Sequence, residues 1–204
     1  QITTSKHNSS ENYKYQENVE IYKLLQKEFE FTFEKIAQNF SNGSAFHYRS
    51  KLLPLIHHFD LSEVEAEDHN TIKIDRIQQE LEIVRNATFT EPDDQTPWWY
   101  LRFILSWARD GQQLDVEALE ELKGVLYEEW ESFDGLVQMV EDEGGKCKWG
   151  LLALHMIATE FCEIDEEFEG EEWTQLKKSY AIQLKELDPD RSRRYDMLMQ
   201  EDSI

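Results

Sequence analysis

Histidine, cysteine and carboxylate side chains are the residues most able to do chemistry in this sequence, but their spacing forms no recognisable site. His57 and His58 are adjacent, so on a helix their side chains point in different directions. Cys147, His155 and Cys162 lack the close pairing of ligands that is typical of zinc sites. Carboxylates are so frequent, 43 of 204 residues, that no one pair indicates general acid–base catalysis. The sequence therefore predicts no catalytic, cofactor-binding or metal-binding residue in this chain.

Composition and charge restrict the classes of partner. The formal net charge is −22, and nucleic acids and anionic membranes bind positive surfaces, so neither is expected as a partner. Hydrophobic residues make up 40% of the chain and include six tryptophans, enough to bury a core. Two cysteines cannot form a disulfide framework, which favours a reducing compartment. The longest uncharged apolar run, residues 149–159, is too short to span a membrane, so we predict a soluble, cytoplasmic protein.

Any functional residues must be positioned by helices, because apolar residues recur at spacings of three and four from Tyr13 onward. Only four prolines and eight glycines interrupt the chain, which also favours helices. We predict an all-α fold without strands, with residues 1–11 as a disordered lead-in and residues 12–204 as a single helical-repeat domain. The predicted elements are hairpins at about 13–57 and 72–109 and C-terminal capping helices at about 116–200, with a break near 132–135. The acidic stretch Asp60–Asn70 is the predicted loop between the hairpins.

An internal repeat with an offset of 52 residues relates the two hairpins. Glu28–Phe31 matches Glu80–Ile83, because both read Glu, apolar, Glu, apolar. The same offset places Ser44 on Thr96, Phe46 on Trp98, Tyr48 on Tyr100 and Leu53 on Leu105. Ser44 in the first copy, and Asp94 or Thr96 in the second, are the predicted N-caps of the second helices. The arginines, Arg49 and Arg102, are out of register by one residue.

Hairpins that repeat in this way stack, since one hairpin cannot bury both of its faces alone. We predict a right-handed alpha-alpha superhelix in which the aromatic residues Phe46 and Trp98 fill the joints between hairpins. Polar and aromatic residues at the starts of the second helices are typical of interface anchors. The candidate partner interface comprises Asn42, His47, Tyr48, Arg49, Gln95, Trp99, Tyr100 and Arg102. The alternative is that the two tyrosines belong to the core and the arginines pair with neighbouring acids.

These stretches resemble a known family. Residues 39–54 and 80–102 closely resemble repeats of protein prenyltransferase alpha subunits, most of all those of the Rab, or type II, geranylgeranyltransferase branch. Residues 148–152 and 187–191 are similar to the capping helices of that family. The sequence differs from the family pattern at Phe46, which replaces a tryptophan, and at Pro97, which replaces a small residue. The resemblance covers only the last two of the family's several repeats.

The resemblance implies a specific role. An alpha subunit of this family, or a C-terminal fragment of one, is a scaffold around a catalytic beta subunit, and the candidate interface residues would face that subunit. The heterodimer would attach geranylgeranyl groups to C-terminal cysteines of Rab GTPases that an escort protein presents. Zinc is expected in the beta subunit, no cofactor is expected in this chain, and the chain alone is expected to be inactive.

Three points are not decided by the sequence alone. A helical-repeat adaptor without enzymatic function would show the same repeats. The acidic run Glu163–Glu172 is either a solvated loop or a docking surface for a basic protein such as the escort factor. The basic run Arg191–Arg194 is interpreted as balancing local acids rather than binding a ligand.

Overall fold

The described part of the chain is helical throughout. A computed structural model describes residues 3–62, 65, 68–109, 114–164 and 170–200, and within these ranges it contains eight α-helices and no strand, which confirms the all-α fold class. The helices are α1 (Thr3–Gln38), α2 (Gly43–Ser62), α3 (His69–Thr90), α4 (Gln95–Arg109), α5 (Val116–Asp142), α6 (Lys148–Ile164), α7 (Gly170–Leu187) and α8 (Ser192–Gln200), with a 3₁₀ turn at Pro189–Arg191 before α8.

The helices form two compact units, residues 1–69 and 70–204, where the sequence predicts a single domain over residues 12–204. The division falls at the end of the acidic stretch 60–70, which the sequence predicts to be a loop. Helix α2 includes residues 60–62 of that stretch and α3 includes residues 69 and 70, whereas residues 63, 64, 66 and 67 lie outside the described residues.

Helices α1 and α2 pair antiparallel in the first unit. Tyr22 in the middle of α1 donates a hydrogen bond to Asp60 near the end of α2, and Tyr48 near the start of α2 donates to Glu28 further along α1. The backbone N–H of Ala45 donates to Oδ1 of Asn42 at 3.1 Å, so Asn42 caps α2. The prediction that Ser44 is the cap is wrong, because α2 begins at Gly43, two residues before the start that a cap at Ser44 would give.

The second unit begins with the hairpin α3–α4 and continues through α5–α8. Asp94 caps α4 by accepting the backbone N–H of Thr96 at 2.8 Å, which confirms one of the two predicted caps. Trp98 of α4 packs edge-on against Phe133 of α5, with ring centroids 5.0 Å apart. Trp98 therefore fills the joint between its hairpin and the following helix, whereas a joint between the two hairpins, predicted for Phe46 and Trp98, stays a prediction.

Three helices extend further than predicted. Helix α1 includes residues 3–11, the predicted lead-in, which is polar but contains neither Gly nor Pro. Pro54 lies inside α2, which continues to Ser62. Helix α5 runs unbroken through 132–135, because buried Phe133 and Leu136 hold Gly135 within a continuous apolar face.

Candidate partner-binding site

The two repeats share a hydrogen bond that confirms their register. The hydroxyl of Tyr48 donates to Oε2 of Glu28 at 3.2 Å, and the hydroxyl of Tyr100 donates to Oε2 of Glu80 at 2.7 Å. Both pairs join the first helix of a hairpin to the second, at positions 52 residues apart. Their surroundings differ, since Tyr48 is 41% exposed whereas Tyr100 is 3% exposed and Glu80 is fully buried.

The two arginines of the candidate interface occupy different positions, which explains their apparent shift in register. Arg49 is buried and donates from Nη1 to the carbonyl of Phe29 and to the hydroxyl of Thr32, each at 3.0 Å. Its guanidinium also lies 3.7 Å from the Phe29 ring centroid. The equivalent residue in the second repeat is the buried Leu101, whereas Arg102 is exposed and lies 5.9 Å from the Trp99 ring.

The first repeat exposes a face whose counterpart in the second repeat is buried. The difference extends beyond the tyrosines to three further positions related by the same offset of 52 residues. Ile21, Phe31 and Leu55 are exposed, whereas their counterparts Lys73, Ile83 and Trp107 are buried. The first repeat therefore exposes apolar surface at positions that are buried in the second repeat.

A groove of about 500 Å³ lies within the second unit, between α4, α6 and the C-terminal segment that includes α8. Each helix contributes one stripe of residues at helical spacing. The polar and charged side chains that line it are Gln95, Arg102, Ser106, Arg109, Lys148, His155, Thr159, Glu160, Arg191 and Arg194, and the apolar and aromatic ones include Trp98, Trp99, Trp149, Leu152, Tyr195 and Leu198.

Positive charge is concentrated in this groove although the chain as a whole is strongly acidic. Five basic residues line it, against one carboxylate, Glu160. Asp188, at the end of α7, fixes two of the basic residues: its Oδ2 accepts from Lys148 at 3.3 Å and from Arg191 at 2.6 Å. It also accepts from the Tyr195 hydroxyl at 3.2 Å, and these bonds, above all that from Arg191, lower the pKa of the Asp188 carboxyl. Asp188 thereby holds α8 against the start of α6.

Glu160, the carboxylate that lines the groove, has a strongly raised pKa. Burial raises its pKa to about 7, although Arg109, whose Nε lies 3.1 Å from Oε2 of Glu160, opposes the rise. Arg109 also pairs with Glu163. The charge state of Glu160 near neutral pH therefore depends on pH, and the positive potential of the groove increases as Glu160 becomes protonated.

Three residues of the predicted interface meet in the groove: Gln95, Trp99 and Arg102, of which Trp99 is 49% exposed. His47 and Tyr48 are exposed at the start of α2, in the first unit. Asn42 is occupied as the cap of α2. Tyr100 is buried within its hairpin, as the alternative anticipated for the tyrosines, whereas the buried Arg49 bonds a carbonyl and a hydroxyl instead of the acid that the alternative anticipated. Whether any of the eight residues contacts a partner stays a prediction.

Sequence reasoning missed the C-terminal side of the groove. Arg191 pairs with Asp188, in agreement with the interpretation of the basic run as balancing local acids, but Arg194 lines the groove instead. The signal was present in the spacing, because residues 191, 194, 195 and 198 fall on one face of a helix. Within the acidic run 163–172, residues 165–169 lie outside the described residues.

Within the described ranges, no group of three or more His, Cys, Asp or Glu side chains is arranged to hold a metal ion. None of the helices in the part of the chain that the structure describes combines the length and apolarity needed to cross a bilayer.

Comparison with known proteins identifies the repeats. Residues 25–56 and 77–108 each match the family described as "Protein prenyltransferase alpha subunit repeat". The two matched segments are offset by 52 residues, which confirms the predicted repeat and its register.

Relatives extend the similarity beyond the repeats. Geranylgeranyl transferase type-2 subunit alpha of Schizosaccharomyces pombe is 29% identical over 181 residues, which cover 87% of this chain and 50% of that protein. The subunit of the same name from Candida albicans is 26% identical over 195 residues, which cover 86% of this chain and 50% of that protein. The human subunit is 42% identical over 79 residues, or 39% of this chain and 13% of that protein. The chain thus spans about half the length of the fungal relatives, and the resemblance predicted from the sequence is confirmed.

Proposed function

We propose that this chain, which carries two prenyltransferase alpha subunit repeats, acts as the alpha subunit, or part of the alpha subunit, of a Rab geranylgeranyltransferase. In this role it is a cytoplasmic scaffold that binds a catalytic beta subunit. The heterodimer transfers geranylgeranyl groups to C-terminal cysteines of Rab GTPases presented by an escort protein. The observation that carries the proposal is the similarity to type-2 alpha subunits along 87% of the chain.

The geometry supports a role in binding the beta subunit more than a direct role in catalysing prenyl transfer. Prenyl transfer to a cysteine needs a thiolate and positive groups that neutralise the diphosphate leaving group. We place both functions in the beta subunit, where bound zinc would lower the pKa of the substrate cysteine so that its thiol reacts as a thiolate. The groove of this chain instead combines exposed Trp99, Arg102 and buried Trp98, a mixture of aromatic and arginine side chains typical of the centres of protein interfaces.

The test is reconstitution with the beta subunit from the same organism. The two chains are co-expressed, and the purified complex is assayed for transfer from geranylgeranyl diphosphate to a Rab GTPase in the presence of an escort protein. We expect a stoichiometric complex with transfer activity, and no transfer by either chain alone. The beta subunit of a protein farnesyltransferase serves as a matched control that should bind more weakly. A chain that binds no beta subunit would refute the proposal and leave the helical-repeat adaptor as the alternative.

A further inference from the structure

We infer that the basic groove of the second unit binds a carboxylate-rich segment of the partner subunit, with Arg102 and Arg194 as its anchors. This inference rests on the proposed function, because it takes the beta subunit as the partner. It starts from an imbalance of charge. The chain has a net charge of −22, yet five basic residues and a single carboxylate line this one groove.

Arg102 and Arg194 point to an external anion because each of the other three basic residues already contacts a carboxylate of this chain. Arg109 pairs with Glu160, and Lys148 and Arg191 share Asp188. Neither Arg102 nor Arg194 has a carboxylate partner among the residues that the structure describes.

A partner that covered this groove would take both guanidinium groups out of water. Such desolvation is costly unless opposite charges replace the lost water, so a complementary partner must bring carboxylates to them.

The rest of the lining favours a peptide over a small anion or a nucleic acid. Trp99, Trp149 and Leu198 lie beside the basic residues and offer apolar area that an inorganic anion would leave uncovered. A volume of about 500 Å³ suits side chains of a docked segment. A polyanion as long as a nucleic acid would meet the acidic remainder of the chain and be repelled. The matching ligand is therefore a segment in which acidic residues alternate with aromatic or aliphatic ones.

Charge reversal at the two anchors tests the inference. We compare the wild-type chain with the double variant Arg102→Glu/Arg194→Glu in binding to the beta subunit, measured at two salt concentrations. Loss of two close charge pairs is expected to weaken binding about 100-fold. The salt dependence should be smaller than that of the wild-type complex. Arg193→Glu is the matched control, because Arg193 is an exposed neighbour on α8 that does not line the groove. Circular dichroism melts establish that all variants fold.

A cross-linking experiment identifies the occupant directly. Arg102→Lys keeps the positive charge and introduces an amine that a carbodiimide couples to a carboxylate in direct contact. Mass spectrometry of the cross-linked complex is expected to show Lys at position 102 joined to an Asp or Glu of the beta subunit.

The outcomes separate this inference from the proposed function. If the wild-type chain binds no beta subunit, the proposed function fails and the inference fails with it. If the complex forms but the double variant binds as tightly as the wild type, only the inference is overturned. Equal weakening by Arg193→Glu would show that bulk charge rather than the groove governs binding, and would also overturn it. Cross-links that join position 102 to carboxylates of this chain and to none of the beta subunit would also overturn the inference.

Discussion

The paired tyrosine–glutamate hydrogen bonds provide a matched internal experiment, since Tyr48→Phe and Tyr100→Phe remove the same hydroxyl from equivalent positions. In the second repeat the hydroxyl of Tyr100 lies 2.7 Å from a fully buried Glu80 carboxylate. Loss of a hydrogen bond to a buried charged group costs about 1.5–3 kcal/mol, and we expect Tyr100→Phe to destabilise the second unit by about that amount. In the first repeat water can replace the hydroxyl of the exposed Tyr48, so no measurable loss is expected.

The assay uses the distribution of tryptophans. All six lie between residues 98 and 173, in the second unit, so urea unfolding followed by tryptophan fluorescence reports on that unit and circular dichroism reports on both. A double-mutant cycle with Glu80→Gln isolates the coupling between the two side chains of the buried pair. Equal effects of Tyr48→Phe and Tyr100→Phe, or a neutral Tyr100→Phe, would refute the reasoning that burial sets the strength of this bond.

Three further predictions concern the core, the buried arginine and pH. Trp98→Ala should destabilise the second unit by about 3–5 kcal/mol in urea unfolding, because it empties the joint against Phe133. Arg49→Ala should cost about 2 kcal/mol, measured by circular dichroism, whereas Arg49→Leu, which introduces the residue of the second repeat at Leu101, should recover most of that loss. Burial raises the folded-state pKa of Glu160 from 4.5 to about 7, so the native state binds more protons than the unfolded state between these values. Stability should therefore fall as pH rises from 4.5 to 7, and Glu160→Gln should flatten that slope in urea titrations at several pH values.

The sequence predicted the repeat and its spacing because both depend on local patterns. The offset of 52 residues, the antiparallel hairpins and the aromatic joint at Trp98 follow from apolar periodicity and from matched residue types, which the chain shows directly. The cap at Asp94 was predicted for the same reason. These features need no knowledge of contacts between distant residues.

The groove could not be predicted because distant segments form it. Arg194 and Trp149 meet α4 only through the packing of α6, α7 and α8, which no local pattern reports. The two arginines near the helix starts looked alike in sequence, yet Arg49 packs on Phe29 inside its hairpin while Arg102 faces solvent. A shift of one residue on a helix rotates a side chain by about 100°, which decides between core and surface.

The uncovered apolar face of the first repeat makes the behaviour of this protein in salt informative. Ile21, Phe31 and Leu55 attract further apolar surface at short range, while a net charge of −22 keeps separate molecules apart at long range. Added electrolyte screens the repulsion and leaves the attraction, so it drives molecules of the isolated chain to associate with each other. The same electrolyte is expected to weaken the contacts that we propose for Arg102 and Arg194 with the beta subunit. In one titration with sodium chloride, self-association of the isolated chain should therefore increase while binding to the beta subunit decreases. Light scattering measures the first effect and a binding assay the second.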